Sequence, residues 1–538
     1  MAAIRITKFG GLLPSSDKSM IPDNAAQTAI NCRLTSGTLD AYKTSVQVRN
    51  PGTSAIKTIY RFDQASLDDT NYWFTFNTDV NVVKGAVAGD VQERTYWTGD
   101  GYPKVTDTSL ATTAAPYPSN SYRLGTPAPS SAALAVAVAA AIPSATALTE
   151  TRVYTYTYVT AWGEESPPCA ASLPVDVKSD GSVNLSALST SPGGNYNVTH
   201  KRIYRTSTGA TSTNYLYVAE IPLAQTTFSD TVATTDLGEV LPTLGSALLP
   251  DTAKGLTSMA NGILAAFLEY DVYFSESYKP YSWPTTNMQA VDYPVVGIGA
   301  FGTSLVVLTT GNPYVMTGTD PQSISVEKLA MPYSCVSKRS ICNAFGNVVY
   351  AAPDGLVSIG LNGTTVMTEQ LMTRLEWQAY KPSSMMCAVW DDRVFMFYDT
   401  GTKQGCLTLD GKQGLVETDI FATAVYNDTV TGSLYLAVAD KIVKWNAGSP
   451  LTYKWKSKQF THPNFVNFAW GQALATSYPL TMRTYADNVL RSTTTVTSAA
   501  AFRLPSGFKS RYWEIELEGT TPILTVVVAE AMEELKSV

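Results

Sequence analysis

A two-strand pattern recurs five times in the second half of the chain, at a spacing of roughly forty residues. Each copy is a short apolar run, then a polar or glycine-containing turn, then a second β-prone run. The five copies occupy residues 262–276, 303–318, 346–360, 392–410 and 432–446. Because a single two-strand unit cannot bury its own apolar face, the repeat predicts units that stack side by side. Strand repeats of about this period are typical of β-propeller blades.

The composition is that of a β-rich globular protein. The 538 residues include 30 Tyr, 17 Phe and 10 Trp, and only 15% of them are charged. A charge fraction this low argues against an intrinsically disordered chain. The net charge of −7 provides no overall basic surface that would attract nucleic acid. We therefore expect an all-β globular protein without a general affinity for nucleic acid.

Strand pairs occur on both sides of an unlike central region, which predicts a propeller with one insertion. The expected fold is a β-propeller with an inserted fibronectin type III/Ig-like sandwich and a C-terminal β domain. The predicted boundaries are an N-terminal arm with a short helix and a first strand (1–50), the N-terminal part of the propeller (51–125), the sandwich (126–245), the main part of the propeller (246–450) and the C-terminal β domain (451–538). The strand pairs between residues 57 and 107 supply one blade or two.

Two short helices are expected. One is predicted within residues 22–32, where Asp23 or Asn24 can cap a run of alanines. The other is an acidic segment at residues 531–536, after the longer strands of the C-terminal region.

The sandwich prediction depends on a region in which strands replace the propeller repeat. Valine and threonine alternate with tyrosine along residues 153–159, which is the period-two pattern of a strand. A loop at residues 162–168 ends this strand, and residues 201–209 and 214–222 predict a hairpin. The size and strand order resemble a fibronectin type III sandwich.

Motifs for catalysis or cofactor binding are weak in this chain. Gly297, Gly299 and Gly302 match G-x-G-x-x-G, but a β-branched strand follows them where a dinucleotide site needs a helix. The two histidines, His200 and His462, lack a recognisable partner motif for a triad or a metal site.

Adjacent acids do not supply a catalytic pair either. The side chains of Asp391-Asp392 and Glu164-Glu165 would point to opposite faces of a strand, whereas glycosidases need two facing carboxyl groups. We therefore expect no catalytic, cofactor-binding or metal-binding residues, no cofactor and no enzymatic activity.

One basic strand is a candidate contact surface. Lys454, Lys456 and Lys458 alternate with Trp455, so on a strand the three lysines share one face. Such a face could contact phosphate or an acidic neighbouring subunit. We favour the simpler interpretation, a half-solvated strand with its lysines pointing outward.

Two features bear on the compartment. The Ala-rich segment at residues 131–142 is too short to span a bilayer, and the N-terminus lacks the apolar core of a secretory signal. None of the six cysteines forms a C-x-x-C pair, which favours free thiols in a protein made in a reducing cytoplasm. We expect no membrane span.

One stretch, residues 271–318, is specific enough to indicate a family. Its Tyr273–Glu276 segment, Trp283-Pro284, the Gly297–Gly299 turn and the Leu305–Leu308 strand resemble a hallmark segment of the tail nozzle proteins of short-tailed bacteriophages, also called packaged DNA stabilisation proteins. The N-terminal KFGGLLP and NAAQTAINCRLTSGTLDAY segments and the WGEESPP loop are also similar to such phage proteins. The resemblance covers most of the chain.

The resemblance implies an architecture and no catalytic residues. It implies a ring of propeller-bearing subunits, usually six, below the portal and its adaptor, with a needle, knob or fibre protein below. Double-stranded DNA passes through the lumen of such a ring without sequence-specific binding, and the ring retains the packaged genome before ejection. The expected location is the virion tail, after assembly in the host cytoplasm. The alternative is a carbohydrate-binding or carbohydrate-cleaving propeller, such as a tail spike or lectin.

Overall fold

The computed structural model describes residues 2–35, 37–62, 66–87, 90–130, 134–139, 144–207, 214–411 and 413–535. Nearly all regular structure in these residues is β-strand, in many small sheets, as the all-β prediction requires. The exceptions are two short α-helices, α1 (Thr108–Ala111) and α2 (Arg374–Ala379). Single 3-10 turns occur at Thr234–Asp236, Ala260–Gly262, Thr285–Asn287, Lys338–Ser340, Pro382–Ser384 and Met532–Leu535.

The strands up to residue 125 belong to five different sheets. They are β1 (Ala3–Ile6), β2 (Ala26–Ile30), β3 (Cys32–Thr35), β4 (Thr38–Ala41), β5 (Val46–Arg49), β6 (Thr58–Arg61), β7 (Trp73–Phe76), β8 (Asn81–Lys84), β9 (Thr95–Thr98), β10 (Lys104–Thr106) and β11 (Tyr122–Arg123). Strands β6 and β7 form one sheet, and β8 to β11 form a second. The early strand pairs therefore supply two sheets.

Residues 126–245 form three small sheets, two of which pack face to face. Their strands are β12 (Ala135–Val138), β13 (Thr149–Arg152), β14 (Tyr154–Thr160), β15 (Val175–Lys178), β16 (Val183–Ser186), β17 (Val198–Thr206), β18 (Tyr215–Pro222) and β19 (Phe228–Asp230). Strands β13 and β15 form a separate pair, and the two facing sheets have the orders β12-β16-β19 and β14-β17-β18.

One apolar core fills the space between these two sheets. Tyr154, Tyr156 and Tyr158 of β14 lie in it with Val183 and Leu185 of β16. The alternation of tyrosines along β14 therefore marks the core side of a strand. The type III identity of this sandwich stays a prediction. Residues 131–133 and 140–142 of the Ala-rich segment and 208–213 of the predicted hairpin lie outside the described residues.

Four of the five repeated segments form the two central strands of a four-stranded antiparallel sheet, and residues 392–410 form two neighbouring strands of a ten-stranded sheet. The strands are β20 (Lys254–Ser258), β21 (Leu264–Leu268), β22 (Asp271–Phe274), β23 (Gln289–Ala290), β24 (Val295–Phe301), β25 (Ser304–Thr309), β26 (Tyr314–Thr317), β27 (Ser325–Lys328), β28 (Cys342–Ala344), β29 (Asn347–Ala352), β30 (Gly355–Gly360), β31 (Gly363–Val366), β32 (Met386–Trp390), β33 (Arg393–Asp399), β34 (Gln404–Asp410), β35 (Gly414–Thr418), β36 (Ala424–Asp428), β37 (Ser433–Val438) and β38 (Lys441–Lys444).

Seven of the described sheets follow one another in a closed cycle. We number them one (β6–β7), two (β8–β11), three (β20–β23), four (β24–β27), five (β28–β31), six (β32–β35) and seven (β36–β38 with β5). The first strands of sheets three to seven lie side by side in that order. At the two ends of this series, the first strand of sheet seven lies beside the first strand of sheet one, and the first strand of sheet three lies beside the first strand of sheet two. An apolar cluster joins sheets one and two. The arrangement is β-propeller-like, and β5, from the N-terminal region, completes sheet seven by pairing with β38.

The C-terminal strands assemble together with the N-terminal ones. They are β39 (Tyr453–Ser457), β40 (Phe460–Val466), β41 (Trp470–Ala475), β42 (Leu480–Ala486), β43 (Val489–Val496), β44 (Phe502–Arg503), β45 (Ser510–Gly519) and β46 (Ile523–Ala529). Strand β1 pairs with β46 along four residues, and β4 also pairs with β46. The two ends of the chain thus form one terminal β domain.

The helix predicted within residues 22–32 is wrong. Ala26–Ile30 is strand β2, which pairs with β39 and also meets β35 of sheet six. A helix this short is marginal in water, whereas the strand buries Ala26 and Ala29 in the terminal core and pairs their backbone groups. The acidic segment near the C-terminus forms only a 3-10 turn, Met532–Leu535, and its Lys536 lies outside the described residues.

Candidate functional face of the ring

The first strand of every ring sheet begins at the same face of the ring, which we call the start face. Residues that directly precede three of these strands, Lys57, Asp79 and Thr423, all contact the turn Lys338–Ser340. This turn leads into β28 of sheet five. Side chains of one short turn therefore lie where the sheets converge.

Arg339 connects three sheets at the start face. Its Nη2 donates a hydrogen bond to the carbonyl oxygen of Lys57 at 2.8 Å and another to that of Thr423. The same nitrogen lies 2.9 Å from Sδ of Met386 in sheet six. Because Lys57 precedes the first sheet and Thr423 the last, Arg339 bridges the seam at which the cycle closes.

Lys338 extends this contact to the remaining sheets. Its Nζ lies 3.1 Å from an Asp79 carboxylate oxygen, directly before sheet two. A Cβ on Gly297 of sheet four would lie 3.3 Å from Cγ of Lys338 and 2.3 Å from Cδ1 of Ile341, so a larger residue here would displace the end of the Ile341 side chain. Burial lowers the pKa of Lys338 and that of Arg339, while the Asp79 carboxylate opposes the shift. Lys254 of sheet three lowers the pKa of Lys338 further.

The opposite end of the seam holds a buried ion pair. Arg61 ends β6 and Asp428 ends β36, and the Arg61 Nη1 contacts the Asp428 carboxylate with both side chains inaccessible to solvent. Burial opposes ionisation of Asp428, but hydrogen bonds from Thr431, from the Val430 N–H and from Arg61 hold its pKa below the usual value. Tyr435 of β37 also donates to Asp69, which precedes β7, at 2.6 Å.

A continuous sheet joins the ring to the terminal β domain. The order β32-β33-β34-β35-β2-β39-β45-β42-β43 runs from sheet six into the terminal strands. At this junction the Gly11 N–H donates to the Gln413 carbonyl at 2.6 Å, and the Trp455 indole donates to the Gly10 carbonyl at 2.9 Å. A Cβ on Gly11 would lie 2.4 Å from the Leu415 carbonyl oxygen. Only glycine therefore allows the chain to approach sheet six this closely.

The sandwich contacts sheet two through a small polar patch. Glu164 Oε1 lies 3.4 Å from Arg94 Nη1, and the rings of Trp162 and Tyr122 meet edge to face at 5.7 Å. Burial raises the pKa of Glu164 to about 7, although the charge of Arg94 opposes the shift. Asn195 adds a hydrogen bond to the Ser121 carbonyl at 2.7 Å.

The residues considered from the sequence as possible catalytic, cofactor-binding or metal-binding residues have structural roles or exposed positions. Gly297 and Gly299 lie in strand β24, so the turn expected at these two glycines is wrong, and only Gly302 lies in the hairpin turn that follows. Strand β25 comes next, as expected, and not the helix of a dinucleotide site. His200 is exposed on β17 and His462 half-buried on β40, far apart in different domains. In the described residues no cluster of His, Cys, Asp and Glu has the geometry of a metal site.

Neither acidic pair lies on a strand, so the expected placement on opposite faces of a strand is wrong. Asp391 and Asp392 form the hairpin turn between β32 and β33, and Asp391 accepts from Arg33 of the terminal domain at 2.8 Å. Glu165 accepts from Thr157 at 2.6 Å and Tyr204 at 2.7 Å inside the sandwich.

The lysines of β39 are paired rather than free. Lys456 lies 2.6 Å and Lys454 3.4 Å from the buried carboxylates of Glu514 and Glu516 on β45, and Lys458 lies 3.0 Å from Asp23. Burial alone would raise the pKa of Glu514, but hydrogen bonds from Lys456 and Lys18 hold it below the usual value. The three lysines are half-buried while Trp455 is fully buried, so the prediction of a half-solvated strand with its lysines outward is confirmed, and β45 adds acids beside Lys454 and Lys456.

All six cysteines are free thiols, and all but Cys342 are buried. The helices in the described part of the chain are all too short or too polar to cross a membrane.

Sequence reasoning did not identify Lys338, Arg339, Arg61 and Asp428. A usable signal existed for the last two, because each is a charged residue at the end of an otherwise apolar strand. Nothing local distinguishes Lys338 and Arg339 from a solvated basic turn. Their importance comes from the convergence of seven sheets around them.

The segments that resemble phage nozzle proteins lie at packing contacts. Within residues 271–318, Trp283 is buried and donates to the Pro280 carbonyl at 2.8 Å, and a Cβ on Gly299 would lie 2.8 Å from Val348 of sheet five. The N-terminal segment supplies Gly10 and Gly11 at the junction described above. These residues position sheets against one another.

No protein-family model and no curated protein matches the sequence. Solved structures show distant likeness. A quinonprotein alcohol dehydrogenase-like protein from Bacteroides thetaiotaomicron is 10% identical, with 68% of this chain and 94% of that chain covered and a TM-score of 0.27. The extracellular domain of a proposed hybrid two component system from B. thetaiotaomicron is 10% identical, with 93% and 85% covered and a TM-score of 0.24. At these scores neither likeness carries an argument about function.

Proposed function

We propose that this chain is a structural subunit of the tail of a short-tailed bacteriophage, a member of the nozzle ring below the portal and its adaptor. The observation that carries the proposal is the ten-stranded sheet that runs from sheet six through β2 into the terminal domain. A subunit that bears force between neighbours has to keep its domains in fixed relation. At this junction β2 meets β35 at one residue pair, Ile30 with Glu417, and backbone hydrogen bonds from Gly11, Leu12 and Asn31 to sheet six reinforce the contact. The resemblance of residues 8–42 and 271–318 to nozzle proteins supports the same conclusion.

In this proposal the molecule works by shape and contact. The fold is a β-propeller with an inserted fibronectin type III-like sandwich, which projects as a docking module for other tail parts. Copies of the chain, six by the resemblance, close a ring through heterologous interfaces. The acidic chain lets double-stranded DNA pass through the lumen without the counterion-release attraction that would hold it. The ring retains the packaged genome, takes part in its ejection and carries the needle, knob or fibre proteins.

The test is the place and stoichiometry of the chain in a virion. Cryo-EM of the phage that encodes it, with no symmetry imposed beforehand, is expected to show a ring of this chain on the tail axis between adaptor and distal parts. Mass photometry of the purified chain, alone and mixed with the adaptor, measures ring assembly in solution. A single copy on the side of the tail, or absence of the chain from the virion, would contradict the proposal.

A further inference from the structure

A polar cleft of about 600 Å³ opens at the start face between sheets one and two. Its walls come from the loop before β6, from the end of β7, from the β9–β10 connection and from residues 116–121. Hydroxyl and amide side chains are the most frequent lining groups, among them Ser54, Asn77, Asn120 and Ser121. Neither the seam nor the axial contact of Lys338 and Arg339 uses these side chains.

The cleft offers hydrogen-bonding groups that the protein leaves unused. The amides of Asn77 and Asn120 are exposed and have no partner among the described residues. Each such amide can donate and accept at once. Trp97, which borders the cleft, is 1% exposed, and its indole N–H has no acceptor in the described structure. Buried donors of this kind are uncommon in folded proteins, and each calls for an explanation.

The charge and the aromatic groups of the cleft narrow the ligand class. Asp100 and Lys104 lie 2.6 Å apart and neutralise each other, so the cleft selects neither an anion nor a cation. Tyr117, which is half-buried, adds aromatic surface beside the amides, whereas Phe76 and Trp97 are buried in the walls. A ligand whose rings have apolar faces and many hydroxyl groups would match this combination of aromatic surface and amides that both donate and accept hydrogen bonds.

We propose that this cleft binds a neutral saccharide, with Asn77 and Asn120 bonding the sugar hydroxyl groups. The site goes beyond the structural role proposed above and does not depend on it. A ring subunit with such a site would bind glycans of a bacterial surface in addition to forming a channel for DNA. Ring assembly and saccharide affinity are measured separately, so each proposal can fail without the other.

The test uses the full chain and a defined panel of neutral sugars. Saturation-transfer difference NMR and isothermal titration calorimetry are run with maltotriose, cellotriose, lactose and chitotriose, and a glycan array of bacterial polysaccharides extends the panel. At least one neutral glycan is expected to bind. The Asn77→Ala/Asn120→Ala double variant is expected to weaken that binding at least tenfold.

A matched variant separates the cleft from general effects of substitution. Asn362→Ala removes an exposed amide from the β30–β31 turn of sheet five and is expected to leave binding unchanged. Thermal unfolding of all variants checks that they fold. Failure of every glycan to bind overturns the proposal, and so does binding that the double variant leaves intact or that Asn362→Ala weakens equally.

Discussion

The guanidinium of Arg61 at the end of β6 is paired with the carboxylate of Asp428 at the end of β36, and neither side chain is more than 1% exposed. These two strands are the first strands of the first and last sheets of the ring. Arg339 bridges the beginnings of the same two strands through the carbonyl groups of Lys57 and Thr423. The seam of the ring is therefore held at both ends by arginine, while β5 supplies the outer strand of sheet seven.

Removing one partner of the Arg61–Asp428 pair is expected to open the seam. Arg61→Met or Asp428→Leu leaves the other group buried without its partner, at a cost of about 3–5 kcal/mol in the free energy of unfolding. The double variant Arg61→Met/Asp428→Leu should recover much of the loss, because no unpaired charge remains. Differential scanning calorimetry of the four proteins measures the coupling.

The control is an exposed pair of the same type in the ring. Arg374 lies 3.0 Å from Asp354 with both side chains largely in solvent. Arg374→Met should therefore cost about 0–1 kcal/mol. Equal losses at the two sites would show that burial at the seam has no special effect.

The contact between sandwich and ring should weaken as the pH rises. Burial raises the pKa of Glu164 to about 7 from 4.5, so the folded state binds this proton more tightly than the unfolded state does. Its contribution to stability is complete below about pH 4.5 and falls as the pH rises towards 7. The total change is on the order of 3 kcal/mol.

Glu164→Gln should remove this component of the pH dependence. The titratable and charged groups near Glu164 include Arg94, Asp90, Tyr96 and Tyr281, and all four remain in the variant. Thermal unfolding of both proteins between pH 4.5 and 8 measures the difference in slope. Glu239→Gln, at an exposed position of the sandwich, is the control, and an identical slope for Glu164→Gln and the parent would contradict the assignment.

The sandwich should be dispensable for folding of the ring. Its contacts with sheet two include Glu164 with Arg94, Trp162 with Tyr122, Asn195 with Ser121 and Arg123, and Tyr196 with Arg123. In the described residues no strand of the sandwich shares a sheet with the ring. Replacing residues 126–245 with a short linker is expected to give a soluble protein. Its circular dichroism spectrum should remain that of a β protein, with a cooperative thermal transition. Loss of all soluble protein would show instead that the sandwich completes the core.

The junction between ring and terminal domain should be sensitive to a single methyl group. Gly11→Ala places Cβ 2.4 Å from the Leu415 carbonyl oxygen, so backbone has to shift and the β2–β35 contact should loosen. Gly411→Ala, in open space nearby, is the matched control. Hydrogen exchange is expected to rise in β2 and β35 of the first variant only. Unchanged protection there would argue against a rigid junction.

The hairpins of this fold can be predicted from the residue pattern alone. Alternating apolar and polar residues with short turns specify hairpins, and the recurrence of these hairpins required neighbours that bury their faces. The five repeats therefore appear as pairs of neighbouring strands in five sheets, and the tyrosine alternation of β14 appears in the sandwich core. Both signals depend only on residues close in the chain.

Which distant segments contact one another depends on the packing of the whole chain. Ala26–Ile30 has a weak helical signal, but it lies between β35 and β39 and forms a strand that pairs with both. A helix at this place would leave backbone groups of β35 and β39 unpaired, and that would cost more free energy than a short helix gains. Arg61 and Asp428 are separated by most of the chain, and no local pattern pairs them. Lys338 and Arg339 become axial residues only when seven sheets converge, since closure of a ring is a property of all its sheets together.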